Sequence, residues 1–121
     1  MSLIPTEYQE QKTLVEWLQF CKKNIKFTSI PNSTFTKSWK QKAKNTASGL
    51  YAGFPDMVLI IPTKSGQKRF LALELKRKKG GVISPHQKEW IKELSECAGI
   101  YCNVAKGFEE AKYIIEQIEK T

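Results

Sequence analysis

Hydrophobic and polar positions along this 121-residue chain change period several times. Near the start, Leu14, Leu18 and Cys21 recur at helical spacing, flanked by Val15 and Trp17. That pattern predicts a helix from about Glu7 to Lys22. Thr6 is the expected N-cap, with Gln9 at the third helical position completing a capping box. Asn24 ends the helix, and Ile25 to Ile30 reads as a strand bounded by Pro31. Residues 32–50 are polar and basic. Between Lys37 and Leu50 the periodicity fits either a short helix or a loop.

Gly53 and Pro55 punctuate the entry to an apolar strand from Asp56 to Ile61. Pro62 and the polar turn Thr63-Lys64-Ser65-Gly66-Gln67 imply a hairpin return along Lys68 to Lys76. Gly80-Gly81 breaks that strand. Ser84-Pro85-His86-Gln87 is a strong helix start: serine cap, proline at the first position, glutamine at the third. The helix is expected to end near Gly99 as C-cap. Ile100 to Ala105 reads as a strand and Phe108 to Glu119 as a final amphipathic helix. Strands with a crossover helix give an α/β fold, a mixed sheet flanked by helices in the order α-β-β-β-α-β-α. The length suits one domain over residues 1–121.

Charge sharpens this picture. The net charge is +8, and no acidic residue occurs from Trp17 to Pro55. That stretch carries Lys37, Lys40, Lys42 and Lys44; a second cluster, Arg77-Lys78-Lys79, follows Lys76. Glu109, Glu110, Glu116 and Glu119 gather near the other end. A one-sided basic surface suits a polyanionic partner, most often nucleic acid, though a solvated face has the same composition. Trp39 among the lysines could stack on a base or pack under its own loop. No apolar run is long enough for a transmembrane span, and Met1-Ser2-Leu3-Ile4-Pro5 lacks signal-peptide character. Three cysteines without metal-ligand spacing fit a reduced, cytoplasmic setting. A single histidine, His86, makes a Cys/His zinc site improbable on counting alone.

The candidate chemistry lies at strand ends. Seventeen residues separate Asp56 from Glu74, enough for a strand, a turn and the return. Glu74 and Lys76 share one face of their strand; Leu71, Leu73 and Leu75 point the other way, into a helix layer. Carboxylates beside a core are costly unless a metal or partner compensates them. Such hard oxygen ligands suit Mg²⁺ or Mn²⁺. A bound ion of this kind generates hydroxide near neutral pH and offsets charge on a phosphate under attack. Lys76 is placed to orient water, offset developing charge or act as a base. On the first helix, Glu7, Gln11, Leu14, Leu18 and Cys21 form one stripe, with Glu7 near its centre and Glu10 toward its edge. Glu7 is therefore preferred over Glu10 as a third acidic group. The competing explanation is that Glu7 simply favours the helix dipole. Glu-x-Lys and Pro-Asp are each common; on their own they also describe an exposed edge strand with a surface ion pair.

Taken together, Glu7-Tyr8-Gln9-Glu10-Gln11, Ile30-Pro31-Asn32, Gly53-Phe54-Pro55-Asp56, Glu74-Leu75-Lys76, Ser84-Pro85-His86-Gln87-Lys88-Glu89-Trp90 and Gly107-Phe108-Glu109-Glu110-Ala111 carry a resemblance. The chain resembles the VRR-NUC (virus-type replication-repair nuclease) family of the PD-(D/E)xK nuclease superfamily, in its phage-type single-domain form. The resemblance implies a restriction-endonuclease-like core and Mg²⁺- or Mn²⁺-dependent endonuclease cleavage of DNA. It assigns metal binding to Asp56, Glu74 and the Leu75 carbonyl, and catalytic roles to Glu7, Asp56, Glu74 and Lys76. It makes Gln11 and Gln87 supporting residues, although helix capping alone would explain Gln87. No Val-Arg-Arg follows the crossover helix; the strand there reads Tyr101-Cys102-Asn103-Val104-Ala105-Lys106. Standalone members resemble dimeric junction-resolving enzymes, which implies a homodimer acting on branched DNA such as Holliday junctions, in a phage or prophage host cell.

Other functions remain open on sequence grounds. One is a non-catalytic nucleic-acid-binding module using the same basic surface; others are cleavage of flap, nicked or linear DNA, or of RNA. Trp17 and Trp90 are expected in the core, Cys102 as small core filler, and His86 at the surface.

Overall fold

The computed structural model describes residues 3–31 and 38–121. Eight elements follow in order: α1 (Glu7–Cys21), β1 (Lys26–Ser29), α2 (Trp39–Ala47), β2 (Met57–Pro62), β3 (Lys68–Lys76), α3 (Pro85–Ser95), β4 (Ile100–Lys106) and α4 (Phe108–Glu119). The strands form one sheet in the order β1-β2-β3-β4. β1 and β3 run antiparallel to β2, while β4 runs parallel to β3, which is why α3 must intervene as a crossover. The architecture is the mixed sheet flanked by helices that the pattern predicts, with short α2 added.

Alternation decides the layers. Met57 pairs with Leu73 and Leu59 with Leu71, so these side chains share a face. They join Ile61 and Leu75 in a core with Leu14 and Leu18 of α1 and Ala111, Ile115 and Ile118 of α4. The opposite face carries Ala72, Glu74 and Lys76, and it is less completely covered: Ile60 on that face is 41% exposed.

Local chemistry fixes the helix starts. Thr6 Oγ1 accepts from the Gln9 amide at 3.1 Å and Gln9 Oε1 accepts from the Thr6 amide at 2.8 Å. Ser84 and Gln87 repeat this reciprocal box at 3.2 and 2.9 Å. α4 has no cap of its own, because its N-cap is Gly107. Instead Glu10 of α1, 4% exposed, accepts from the Phe108 amide at 3.4 Å. That bond offsets an otherwise unpaired helix-end donor and ties α4 to α1.

One open alternative is resolved and several expectations are corrected. Residues 39–47 are helical, started by Ser38, whose hydroxyl accepts from the Gln41 amide. Ile25 and Ile30 lie outside β1, and Asp56 precedes β2 rather than opening it. α3 stops at Ser95 with Glu96 as C-cap, and Gly99 serves the turn into β4 with φ +78°. Cys21 is exposed at the end of α1, so the buried stripe runs through Glu10, Leu14 and Leu18. Trp17 and Trp90 are half-buried on the flanks: Trp17 meets Phe108 edge-on at 5.8 Å, and Trp90 meets Phe54 at 5.1 Å. Cys102 is half-buried, on the face that carries Glu74. Lys37 lies outside the described residues.

Candidate active site

Three elements deliver the acidic groups. Glu7 stands in the first turn of α1, Asp56 just ahead of β2, and Glu74 near the end of β3. One carboxylate oxygen from each lies within 4.8 Å of the others. Two local constraints hold Asp56. Its carbonyl accepts from the Ile30 amide at 2.7 Å, which extends the β1–β2 pairing. Its Oδ2 accepts from the Leu75 amide at 2.8 Å. Leu75 thus turns its side chain into the core and its N–H toward the site.

Glu74 is 1% exposed. Its Oε2 accepts from Gln87 Nε2 at 3.1 Å and faces Lys76 Nζ at 3.6 Å. Its Oε1 is buried with no hydrogen-bond partner. Burial, then the hydrogen bond and charge of Asp56, push the Glu74 carboxyl up to about 8, against the pull of Lys76. Burial also raises Glu7, with Asp56 adding to the rise and Lys76 opposing it. The Cys102 thiol on the same face is raised by burial and by Glu74.

This donor set fits a hard divalent cation. The donors are carboxylate oxygens, they crowd one another, and one buried oxygen lacks a partner. Positive charge among them would relieve both the mutual repulsion and the orphaned acceptor.

Of the other residues singled out from sequence, Gln87 is brought into the site. Its amide performs two tasks, since Oε1 caps α3 and Nε2 bonds Glu74. Gln11 is half-buried one turn beyond Glu7 and lines a groove on α1 with Tyr8, Val15 and Gln19. Glu10 is drawn to α4 and not to the acidic cluster. Lys40, Lys42 and Lys44 are exposed on α2, as are Arg77, Lys78 and Lys79 after β3. Trp39 is 83% exposed, with Lys42 Nζ 5.2 Å from its ring centroid.

Two supports were not legible in the sequence. Gly53 has φ +99°, and a Cβ there would meet the His86 backbone at 2.6 Å. The loop before Asp56 therefore seats directly on the start of α3. Trp90 Nε1 donates to the Ala52 carbonyl at 3.1 Å, bracing the same loop. The glycine and the tryptophan are visible as letters, but nothing local pairs them with residues 30 to 40 positions away.

Similarity to known proteins places this fold among nuclease domains. The family model described as the VRR-NUC domain matches residues 2–109. A solved structure described as a VRR_NUC domain protein superposes with a TM-score of 0.73 at 25% identity, covering 96% of this chain and 89% of that one. No curated protein matches the chain. The chain belongs to the VRR-NUC family.

Proposed function

We propose that this chain is a metal-dependent endonuclease that hydrolyses phosphodiester bonds in DNA, with branched DNA such as a four-way junction as its substrate. Residues 1–121 form one nuclease domain in this reading. The observation that carries it is the convergence of Glu7, Asp56 and Glu74 within 4.8 Å, beside Lys76.

Asp56, Glu74 and the Leu75 carbonyl would hold Mg²⁺ or Mn²⁺, and Glu7 would complete the acidic wall. When bound, the ion supplies Lewis-acid stabilisation of charge on the attacked phosphate and a nucleophile active near neutral pH. The chain's own residues do the rest. The Leu75 amide fixes the Asp56 carboxylate, and the Gln87 amide fixes Glu74. Lys76, 8% exposed and 3.6 Å from Glu74, presents its ammonium where negative charge develops on the phosphate. Gln11 contributes from the adjacent turn of α1. Lys40, Lys42, Lys44, Arg77, Lys78 and Lys79 hold the backbone, joined by Lys37. A pure binding module is disfavoured, because it gains nothing from buried carboxylates facing phosphates.

The test is direct. Purified protein is incubated with labelled four-way junction, flap and linear duplex DNA, and with matched RNA, in Mg²⁺, Mn²⁺ or EDTA. Metal-dependent cutting of the junction, lost in Glu74→Ala, is expected. Binding without turnover in every metal would replace the nuclease with a binding module. A homodimer places two such sites on opposing strands. Light scattering that returns the 13.9 kDa monomer mass at working concentration would remove that part of the proposal.

A further inference from the structure

We propose that the groove between α2 and α3 receives an unpaired nucleobase of the strand presented to the acidic cluster, an inference that rests on the nuclease reading above. Two adjoining hollows form the groove. One, of about 450 Å³, is lined by Tyr51, Ala52, His86, Glu89, Trp90 and Glu93. The other, of about 310 Å³, shares Tyr51, Ala52 and His86 and adds Lys42 and Thr46 of α2. These volumes suit a small planar ligand.

Three ring-bearing side chains line the first hollow, and they differ in freedom. Trp90 is fixed by its hydrogen bond to Ala52 at 3.1 Å and by the edge of Phe54 at 5.1 Å. Tyr51 is 65% exposed, so its ring has apolar surface left uncovered by the fold. A base stacks on such faces whatever its identity.

Charge then orients the strand. Lys42 stands at the α2 side, with Lys40 and Lys44 on the same helix, all suited to phosphates. Glu89 and Glu93 stand on the α3 side. Carboxylates repel phosphates but accept from the exocyclic amino group of a base such as cytosine. The backbone therefore follows α2 while the base turns toward α3. The groove also abuts the catalytic cluster. His86 precedes Gln87, whose amide bonds Glu74, and Gly53 seats on His86 at the head of the loop carrying Asp56. A fully paired duplex has no base to offer this groove, whereas DNA with a bulge, a flap or an open branch point does.

The test uses the full chain in EDTA, so that binding is read without cleavage. Affinities are compared for a duplex with one unpaired cytosine, the same duplex with an unpaired thymine, and the fully paired duplex. The wild type is expected to bind the cytosine bulge roughly 10-fold more tightly than paired DNA, with thymine between them. Tyr51→Ala is expected to bring the bulged-to-paired ratio close to one, and Tyr51→Phe to preserve it. The double variant Glu89→Gln/Glu93→Gln is expected to lose the cytosine preference, which keeps a readout if Tyr51→Ala fails to fold. No preference in the wild type, or a ratio that survives Tyr51→Ala in a folded protein, overturns the proposal. Metal-dependent cleavage is scored separately. Base discrimination without cleavage sustains the groove and removes the nuclease reading; cleavage without discrimination does the reverse.

Discussion

Glu74 is the residue on which site and stability meet. Its carboxyl is raised from 4.5 to about 8, chiefly because the fold buries it. A carboxyl whose folded value exceeds its unfolded value favours folding only while protonated. That contribution is complete below about pH 4.5 and disappears as pH rises through about 8. Glu7 is shifted in the same direction. The metal-free protein should therefore melt at progressively lower temperature between pH 5 and pH 9. Glu74→Gln should flatten that slope and melt above the wild type at pH 9. A wild-type Tm that rises over this range would contradict the burial argument. A divalent ion held by Glu74, as proposed, would have to displace the same proton, so Mg²⁺ should raise the wild-type Tm more at pH 8.5 than at pH 6. In the proposed mechanism Lys76 behaves differently, stabilising charge without holding the ion. Lys76→Ala should cut the cleavage rate by at least about 100-fold while keeping the Mg²⁺-dependent rise in Tm. Glu74→Ala should lose both. Thermal melts run beside single-turnover cleavage assays separate the two outcomes.

Among the elements, the loop of residues 48–56 decides where Asp56 stands, and it depends on contacts far away in sequence. Gly53→Ala combines a positive φ with a Cβ 2.6 Å from the His86 backbone. That contact is backbone against backbone, so no rotamer change relieves it. The substitution should cost on the order of 1–3 kcal/mol in urea unfolding and should also displace Asp56 and lower cleavage. Wild-type stability and activity in Gly53→Ala would show that the loop does not position the site. The same loop marks the boundary of what sequence discloses. Capping boxes, the hairpin from β2 to β3 and the face shared by Glu74 and Lys76 were legible, because each is encoded within a few residues. The helix periodicity was only half right: it set Glu7 at the centre of the buried stripe and Glu10 at its edge, whereas Glu10 is the buried residue and Glu7 stands half-buried beside Asp56 and Glu74. The seat of Gly53 on His86, the Trp90 brace and the Glu10 bond to Phe108 were not legible. Each joins residues distant along the chain, and glutamate under a helix end has no local signature. Cys21 shows the converse failure: it continues the apolar spacing, but α1 ends there and its side chain is exposed.

At the scale of the whole molecule, charge is sorted by region more than by element type. The net charge is +8, yet α4 carries Glu109, Glu110, Glu116 and Glu119. Two basic clusters, Lys40, Lys42 and Lys44 on α2 and Arg77, Lys78 and Lys79 after β3, lie on either side in sequence of the segment that carries Asp56 and Glu74. A polyanion drawn by the field of the whole protein is attracted to the lysines of α2 and to the basic residues after β3. Binding should follow from release of ions condensed on the nucleic acid. The logarithm of the association constant then falls by about 0.9 for each phosphate neutralised per tenfold rise in salt. Lys40→Ala/Lys42→Ala/Lys44→Ala should make that slope shallower by about 2 to 3 if each lysine engages one phosphate. All three residues are exposed and none touches the core, so folding and the Mg²⁺-linked rise in Tm should stay as in the wild type. Fluorescence anisotropy across a salt series, with a Glu109→Gln/Glu110→Gln control, measures this. An unchanged slope in the triple variant would place the phosphate path elsewhere, on Arg77, Lys78 and Lys79. A slope altered by the α4 control would mean that the acidic helix also faces the nucleic acid, against the sorting of charge in the fold.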